Sequence, residues 1–260
     1  MERRIFDNGV VLDGCWDGRV RFAFTERTGG VSLPPYASLN LGSHVGDDPA
    51  AVAENRRRAL ASLGAVGLQE RLLVPNQVHG DTVVRVAPTD AGDLAHVREL
   101  LAAGADAVVC TARDVPVLLC YADCTPVVIC AQGGFAVVHS GWRGTYARIA
   151  GKAARALAEM TGEDPASFSA YIGPHILGDE YEVSPEVVQM FSLQFDNINP
   201  YGARLLDMSR AICQSLEEAG VPRCEIHDPR LSTTRLNERF FSYRKENGIC
   251  GRHAAVAMLR

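Results

Sequence analysis

Three side chains with metal-ligand chemistry, His79, Cys124 and His139, stand where apolar runs of the sequence break. His79 lies in Asn76-Gln77-Val78-His79-Gly80, a polar interruption between two strand-like segments. Cys124 lies in Tyr121-Ala122-Asp123-Cys124-Thr125-Pro126, at a break between two buried-type runs. His139 ends another such run and is followed by Ser140-Gly141-Trp142-Arg143-Gly144. On α/β scaffolds, functional residues concentrate at strand ends and in the loops beyond them. Two imidazoles and a thiolate make a good zinc ligand set. Catalytic zinc commonly takes three protein ligands and leaves its fourth position to water, which can then ionise near neutral pH and attack an electrophile. The separations of 45 and 15 residues match no short zinc motif, and there is no HExxH, paired CxxC or P-loop. Taken singly, each residue reads more readily as an ordinary strand-end side chain than as a ligand.

The elements that must position these groups can be read from periodicity. Val20–Phe24 has the look of a short strand. Residues 25–46, rich in Gly, Pro, Ser and Asn, form a long loop of the kind that is often functional. Asp47-Asp48-Pro49 signals a helix start that should run through Arg56 and stop near Gly64. Leu72–Val74 and Thr82–Val86 read as strands and Leu94–Ala103 as a helix. Ala107–Cys110, Val115–Cys120, Val127–Ala131 and Phe135–His139 read as buried strands. The Gly133-Gly134 turn predicts a hairpin, so part of the sheet should be antiparallel. Thr145–Met160 is an amphipathic helix with Ile149, Ala153, Leu157 and Met160 on one face. A strand at Phe168–Ile172, helices from Ser184-Pro185 to Phe191 and over Leu205–Ala219, and strands at Glu225–Asp228 and Ala254–Leu259 complete the pattern. Strands in the middle with helices on the flanks predict an α/β protein with mixed sheets, read as one domain over 1–260.

Composition narrows the partners. Hydrophobic residues make up 47% and charged residues 22% of the 260, enough for a sizeable core. A net charge of -5 argues against nonspecific nucleic-acid binding, which depends on phosphate neutralisation. Lysine occurs only at 152 and 245, so the cations are nearly all arginine, suited to bidentate phosphate or carboxylate recognition. The N-terminal residues lack a signal-peptide pattern, and no apolar run reaches membrane-span length. We therefore expect a cytoplasmic location, no membrane partner, and reduced cysteines.

The motifs together resemble the laccase-domain family (YfiH/YlmD-type), also described as multicopper polyphenol oxidase-like, peptidoglycan-editing-factor-like or purine nucleoside phosphorylase-like. Besides the segments around His79, Cys124 and His139, the resemblance rests on Arg27-Thr28-Gly29-Gly30-Val31-Ser32, Leu39-Asn40-Leu41-Gly42, His44-Val45-Gly46-Asp47, Asn55-Arg56, Ala105-Asp106-Ala107 and Ile172-Gly173-Pro174. These motifs appear in the family's order through the first 175 residues; the last 85 are similar only in length and general pattern. The resemblance implies a layered α/β/β/α sandwich and assigns His79, Cys124 and His139 as ligands of a single zinc. A multicopper centre would need denser histidine patterns than this chain contains.

By resemblance, the activity is phosphorolysis of adenosine, inosine, guanosine and methylthioadenosine, with deamination of adenosine, by a monomer or homodimer whose partners are nucleoside and phosphate. Deamination needs an activated water aimed at purine C6. Phosphorolysis needs a phosphate held beneath the ribose and charge stabilisation at the departing base. For the phosphate, Arg56 on the helix from Pro49 and Arg143 at the start of the 145–160 helix are candidates, the latter because helix N-termini bind anions; a surface salt bridge is the alternative for both. Asp123 either orients a ligand or shuttles a proton, or else forms the turn before Cys124. Asn40, His44 and Gln77 sit in polar, glycine-rich segments and could bond ribose or base.

Other functions stay open. Cys124 and His139 could be the nucleophile and base of a cysteine hydrolase, for example an amidase acting on a peptidoglycan precursor. The deamidating toxin cytotoxic necrotising factor, whose fold this resembles, works that way, but such chemistry leaves His79 idle. A copper-dependent polyphenol oxidase is another reading. A binding module with a closed zinc site would need a fourth ligand, from Cys120 or Cys130.

Overall fold

The computed structural model describes residues 1–260. Eleven strands form two sheets: β1 (Glu2–Ile5), β2 (Val11–Cys15), β3 (Val20–Thr25), β4 (Val83–Val86), β5 (Ala107–Cys110), β6 (Val117–Tyr121), β7 (Thr125–Cys130), β8 (Phe135–Ser140), β9 (Ser169–Ile172), β10 (Ile226–His227) and β11 (His253–Leu259). The first sheet runs β1-β2-β3-β11-β6 and the second β10-β9-β7-β8-β5-β4. Every pairing in the first sheet is antiparallel; the second is antiparallel at its centre, with parallel β4–β5 and β9–β10 pairs at its edges. The helices are α1 (Pro49–Leu63), α2 (Ala95–Ala103), α3 (Trp142–Tyr146), α4 (Ile149–Thr161), α5 (Pro185–Ser192) and α6 (Met208–Glu217).

Three apolar layers hold these elements together. One lies between the two sheets, one between the first sheet and α1, and one between the second sheet and α4, α5 and α6. The strands at the interfaces serve two layers at once, because successive side chains point to opposite faces. In β11, Ala255 and Ala257 face the other sheet while Ala254, Val256 and Met258 face α1. In β5, Val108 and Cys110 face inward while Ala107 and Val109 face α4. Burial on both faces is why these strands read as continuous apolar runs rather than alternating ones. The result is the expected α/β/β/α sandwich.

Local signals account for most boundaries. Asp48 caps α1 by accepting from the Ala50 N–H at 3.0 Å, and Gly64 ends it at φ 84°. The β7–β8 hairpin closes through the Ala131 N–H donating to Gly134 O at 2.9 Å.

The structure also corrects the sequence reading. The helix expected over 145–160 is two helices. Arg148, at φ 59°, breaks the spiral; its guanidinium binds Glu218 and Gln194 and lies over the Phe195 ring, which holds the break in place. Leu72–Val74 is not a strand, since Leu73 makes only an isolated bridge to Val117 before Pro75. Strands β1 and β2 were not foreseen. β1, Glu2-Arg3-Arg4-Ile5, is a charged edge strand anchored by Arg3 pairing with the buried Glu26 at 2.6 Å, and carries no apolar periodicity to read. The last expected helix shortens to α6, because Asp207 caps it by accepting from the Arg210 N–H. No helix is long and apolar enough to cross a membrane.

Candidate metal centre and cleft

His79, Cys124 and His139 converge at one end of the sandwich, where the chain passes from the first sheet to the second. β6 belongs to one sheet and β7 to the other, and the connection is the short turn carrying Asp123 and Cys124. His139 is the penultimate residue of β8, opposite Pro126 of β7. His79 stands in the loop before β4 with a left-handed backbone, φ 59°, and Asp123 does likewise at φ 87°. Such conformations cost non-glycine residues free energy and persist where the surroundings hold them. The ligand atoms of the three residues lie within 4.8 Å of one another. The His79 and His139 rings meet edge-to-face, with centroids 4.9 Å apart. A Cβ on Gly141 would come within 3.3 Å of His79 and 3.5 Å of Cys124 Sγ, so a side chain there would crowd the cluster.

Asp106, at the entry to β5, holds two of these ligands. It is fully buried, and its Oδ1 accepts from the His79 N–H at 3.0 Å and from His139 Nδ1 at 2.8 Å. Its Oδ2 accepts from the Val78 N–H at 3.2 Å and the Gly80 N–H at 2.7 Å. An ionised carboxylate only accepts, so His139 carries its proton on Nδ1 and turns Nε2 toward Cys124 and His79. Burial works against ionisation of Asp106, but the His139 bond and the backbone N–H groups outweigh it and keep the carboxyl below its ordinary value. In the metal-free protein, burial alone would raise the Cys124 thiol; the charge and hydrogen bonds of His139, joined by His79, bring it down to about 6. Conversely, the Cys124 thiolate and Asp106 raise His139 to about 9 against the effect of its own burial. A thiolate and two imidazoles, one with its tautomer set by a carboxylate, fit a borderline metal ion such as zinc.

The cluster forms part of the wall of a cavity of about 470 Å³ that also includes His44, Gln77, Asp123, Ile176, Tyr181, Tyr243, Arg244 and Arg252. Gln77 lies there, but its amide is taken up by Cys120, donating to the carbonyl and accepting from the N–H at 2.8 Å each. The Asp123 carboxylate accepts from the Thr233 and Ser242 hydroxyls and from the Arg244 N–H, at 2.7, 2.6 and 2.6 Å. Those three bonds pin residues 233–244 over the cleft. Asp123 thus anchors that segment from the turn before Cys124.

Asn40, Arg56 and Arg143 fall outside this cavity. Asn40 is fully buried: it donates to Gly42 O and Asp47 and accepts from the Gly42 and Arg252 N–H groups, which leaves nothing for a ligand. Arg56 directs Nε and Nη2 to the Leu41 carbonyl, at 3.0 and 2.8 Å, and borders an adjoining basin. Arg143 is exposed and lies over the Trp142 ring, 4.4 Å from its centre; the helix it begins, α3, has only five residues. His44, though exposed at the rim, lines the cavity, and partial desolvation together with the Arg252 and Arg56 charges lowers its pKa. Cys120 and Cys130, considered as a fourth ligand, are not part of the cluster.

Sequence reasoning missed Asp106 as a ligand-positioning group and missed the C-terminal wall: Tyr181, Tyr243, Arg244 and Arg252. Asp106 stood among the quoted motifs, and a lone acid before an apolar strand was the available signal. The wall residues had none, because they reach the cleft only through the fold.

A two-sheet sandwich with a His-Cys-His cluster at the sheet crossover defines a class of α/β proteins with a metal-binding pattern at one end. Residues 21–260 match the family described as multi-copper polyphenol oxidoreductase laccase, and the chain belongs to that family. It is 38% identical over 250 residues to a protein of Streptomyces coelicolor named purine nucleoside phosphorylase, covering 92% of this chain and 95% of that one. It is 35% identical over 254 residues to a Corynebacterium glutamicum protein of the same name, covering 92% and 94%. Among solved structures, YfiH of Bacillus licheniformis superposes with a TM-score of 0.87 at 27% identity, covering 99% of both chains. YlmD of Geobacillus stearothermophilus gives 0.83 at 32% identity, covering 94% and 93%.

Proposed function

We propose that this chain is a zinc-dependent purine nucleoside phosphorylase acting on adenosine, inosine, guanosine and methylthioadenosine, with adenosine deaminase activity. The observation that carries the proposal is the His79–Cys124–His139 cluster set in the wall of a cavity with three tyrosines and two arginines. The names of the relatives supply the reaction class. His79, Cys124 and His139 would hold one zinc, which when bound acts as a Lewis acid and activates water.

The remaining roles belong to the chain. At about 470 Å³ the cavity lies within the range of small-molecule sites and accommodates a nucleoside. Tyr181 and Tyr243 offer aromatic faces to a purine. Arg244 and Arg252 lack carboxylate partners and provide charge for phosphate, a role the sequence reading had assigned to Arg56 and Arg143. His44, with its lowered pKa, is neutral near pH 7 and offers a hydrogen bond to ribose or base. Asp106 fixes His139 Nδ1–H and the backbone of the His79 loop, so the ligands are held before an ion arrives. The site is read as cytoplasmic and as acting on small molecules, without nucleic acid or membrane, in a monomer or homodimer.

One geometric feature favours a second reading. Cys124, His139 and Asp106 are also arranged as a thiolate–imidazolium–carboxylate triad, the apparatus of a cysteine hydrolase or amidase. A copper-dependent phenol oxidase has less support, since the cluster offers ligands for one ion rather than several.

The test is a paired assay. Zinc-loaded protein is incubated with adenosine, with and without phosphate, and adenine, inosine and ribose-1-phosphate are followed by chromatography. Zinc is counted in Cys124→Ala and His79→Ala. Phosphate-dependent base release that disappears together with zinc in both variants supports the phosphorylase. Amide hydrolysis that survives His79→Ala but not Cys124→Ala would overturn it in favour of the hydrolase.

A further inference from the structure

Beside the metal cleft lies a second basin of about 760 Å³ between α1 and α2. The two spaces adjoin, for His44, Gln77 and Cys120 line both. The floor of the basin is apolar, formed by Leu60, Leu72, Val74 and Leu101, and its rim carries Arg56, Arg57 and Arg98. Arg57 is neutralised by Glu54 at 2.7 Å. Arg56 and Arg98 have no carboxylate partner: Arg56 binds the Leu41 carbonyl and Ser43, and Arg98 binds the Glu70 carbonyl. The acid that borders this space is Glu70, which is exposed. Across the His44 neck, Arg252 is a further cation without a carboxylate. A row of arginines held by carbonyl oxygens keeps its full positive charge. A carbonyl dipole orients a guanidinium without cancelling it, and a guanidinium so oriented suits a phosphoryl group.

We infer that this basin is a second subsite of the cleft and takes an anionic group carried on the nucleoside, so that the substrate class includes nucleosides bearing a phosphoryl extension. The inference rests on the nucleoside reading of the metal cleft. A nucleoside accommodated in the 470 Å³ cavity leaves the larger basin free, and an anion attached to it would reach Arg56 and Arg98 past His44.

The experiment compares binding of adenosine and adenosine 5′-monophosphate to the zinc-loaded protein by calorimetry, in the wild type and in Arg98→Glu. Arg98 is exposed and donates only to a backbone carbonyl, so the variant should fold. We expect the monophosphate to bind at least about tenfold more tightly than adenosine, an advantage that shrinks with added salt and disappears in Arg98→Glu. Adenosine itself should bind the variant as it binds the wild type. Equal or weaker binding of the monophosphate by the wild type would overturn the inference, as would an advantage that survives Arg98→Glu. If Arg98→Glu instead raises the KM for inorganic phosphate in adenosine phosphorolysis, while the monophosphate gains nothing, the basin serves free phosphate and the inference is also overturned. Because binding is read without turnover, a protein that binds the monophosphate through Arg98 yet releases no base from adenosine would refute the phosphorylase reading and leave the subsite standing.

Discussion

Replacing Asp106 by Asn tests whether the carboxylate builds the ligand set. Each carboxylate oxygen accepts two N–H groups: Oδ1 those of His79 and His139, Oδ2 those of Val78 and Gly80. An amide has one oxygen and one NH2, and either orientation turns the NH2 against two donors. Two hydrogen bonds to a charged acceptor are therefore lost, at about 1.5–3 kcal/mol each. We expect the metal-free variant to lose about 3–5 kcal/mol of stability, a fall in Tm on the order of 10 °C for a chain of this size. Zinc affinity should fall about 10- to 100-fold, because the amide costs either His139 the acceptor that sets its tautomer or the His79 loop the acceptor of its Val78 and Gly80 N–H groups. Denaturant unfolding of the metal-free protein and a zinc titration against a competing chelator read the two effects separately. A variant that binds zinc with wild-type affinity and loses less than about 1 kcal/mol would refute the positioning role of Asp106.

Three other outcomes are expected. Metal-free protein should be alkylated at Cys124 by iodoacetamide with a pH midpoint near 6 rather than at the ordinary 9.0, since His139 and His79 stabilise the thiolate; Cys124→Ser supplies the background, and a midpoint above 8 would remove the ion pair from the description. His253 is fully buried, stacks on Tyr121, and its pKa is lowered by burial to about 3 from 6.5. The unfolded chain therefore takes up a proton below pH 6.5 that the folded protein does not, and stability falls as pH drops from 6.5 toward 3, by about 2 kcal/mol at pH 5. His253→Phe should flatten that part of the pH–stability curve in urea unfolding, and an unchanged slope would contradict the assignment. Gly144→Ala places a Cβ 2.6 Å from the Gly80 carbonyl, beside the His79 loop; zinc affinity and Tm should both fall, and a neutral result would show that the loop can yield.

The local sequence determined much of this protein. Asp48-Pro49 and Gly64 set the ends of α1, Gly133-Gly134 set the β7–β8 hairpin, and the uninterrupted apolar runs set β5 to β8, because capping, turn chemistry and burial on both faces act over a few residues. His79, Cys124 and His139 were legible as candidates from residue type and from their places at breaks in those runs, and the family resemblance joined them. What only the tertiary structure decided is which groups share one space. The turn carrying Asp123 moves the chain from one sheet to the other, bringing Cys124 to His139; Asp106 then draws in the His79 loop from 27 residues away. Residues 233–244 come to the cleft through hydrogen bonds to Asp123 at sequence separations of 110 to 121, which no local pattern encodes. The same holds for Asn40. It looks like a binding group in sequence, but burial obliges it to satisfy its polar atoms within the protein. Arg244 and Arg252 meet in the cavity because β11 pairs with β6, the strand that leads into the Asp123 turn, and Asp123 anchors the segment before it.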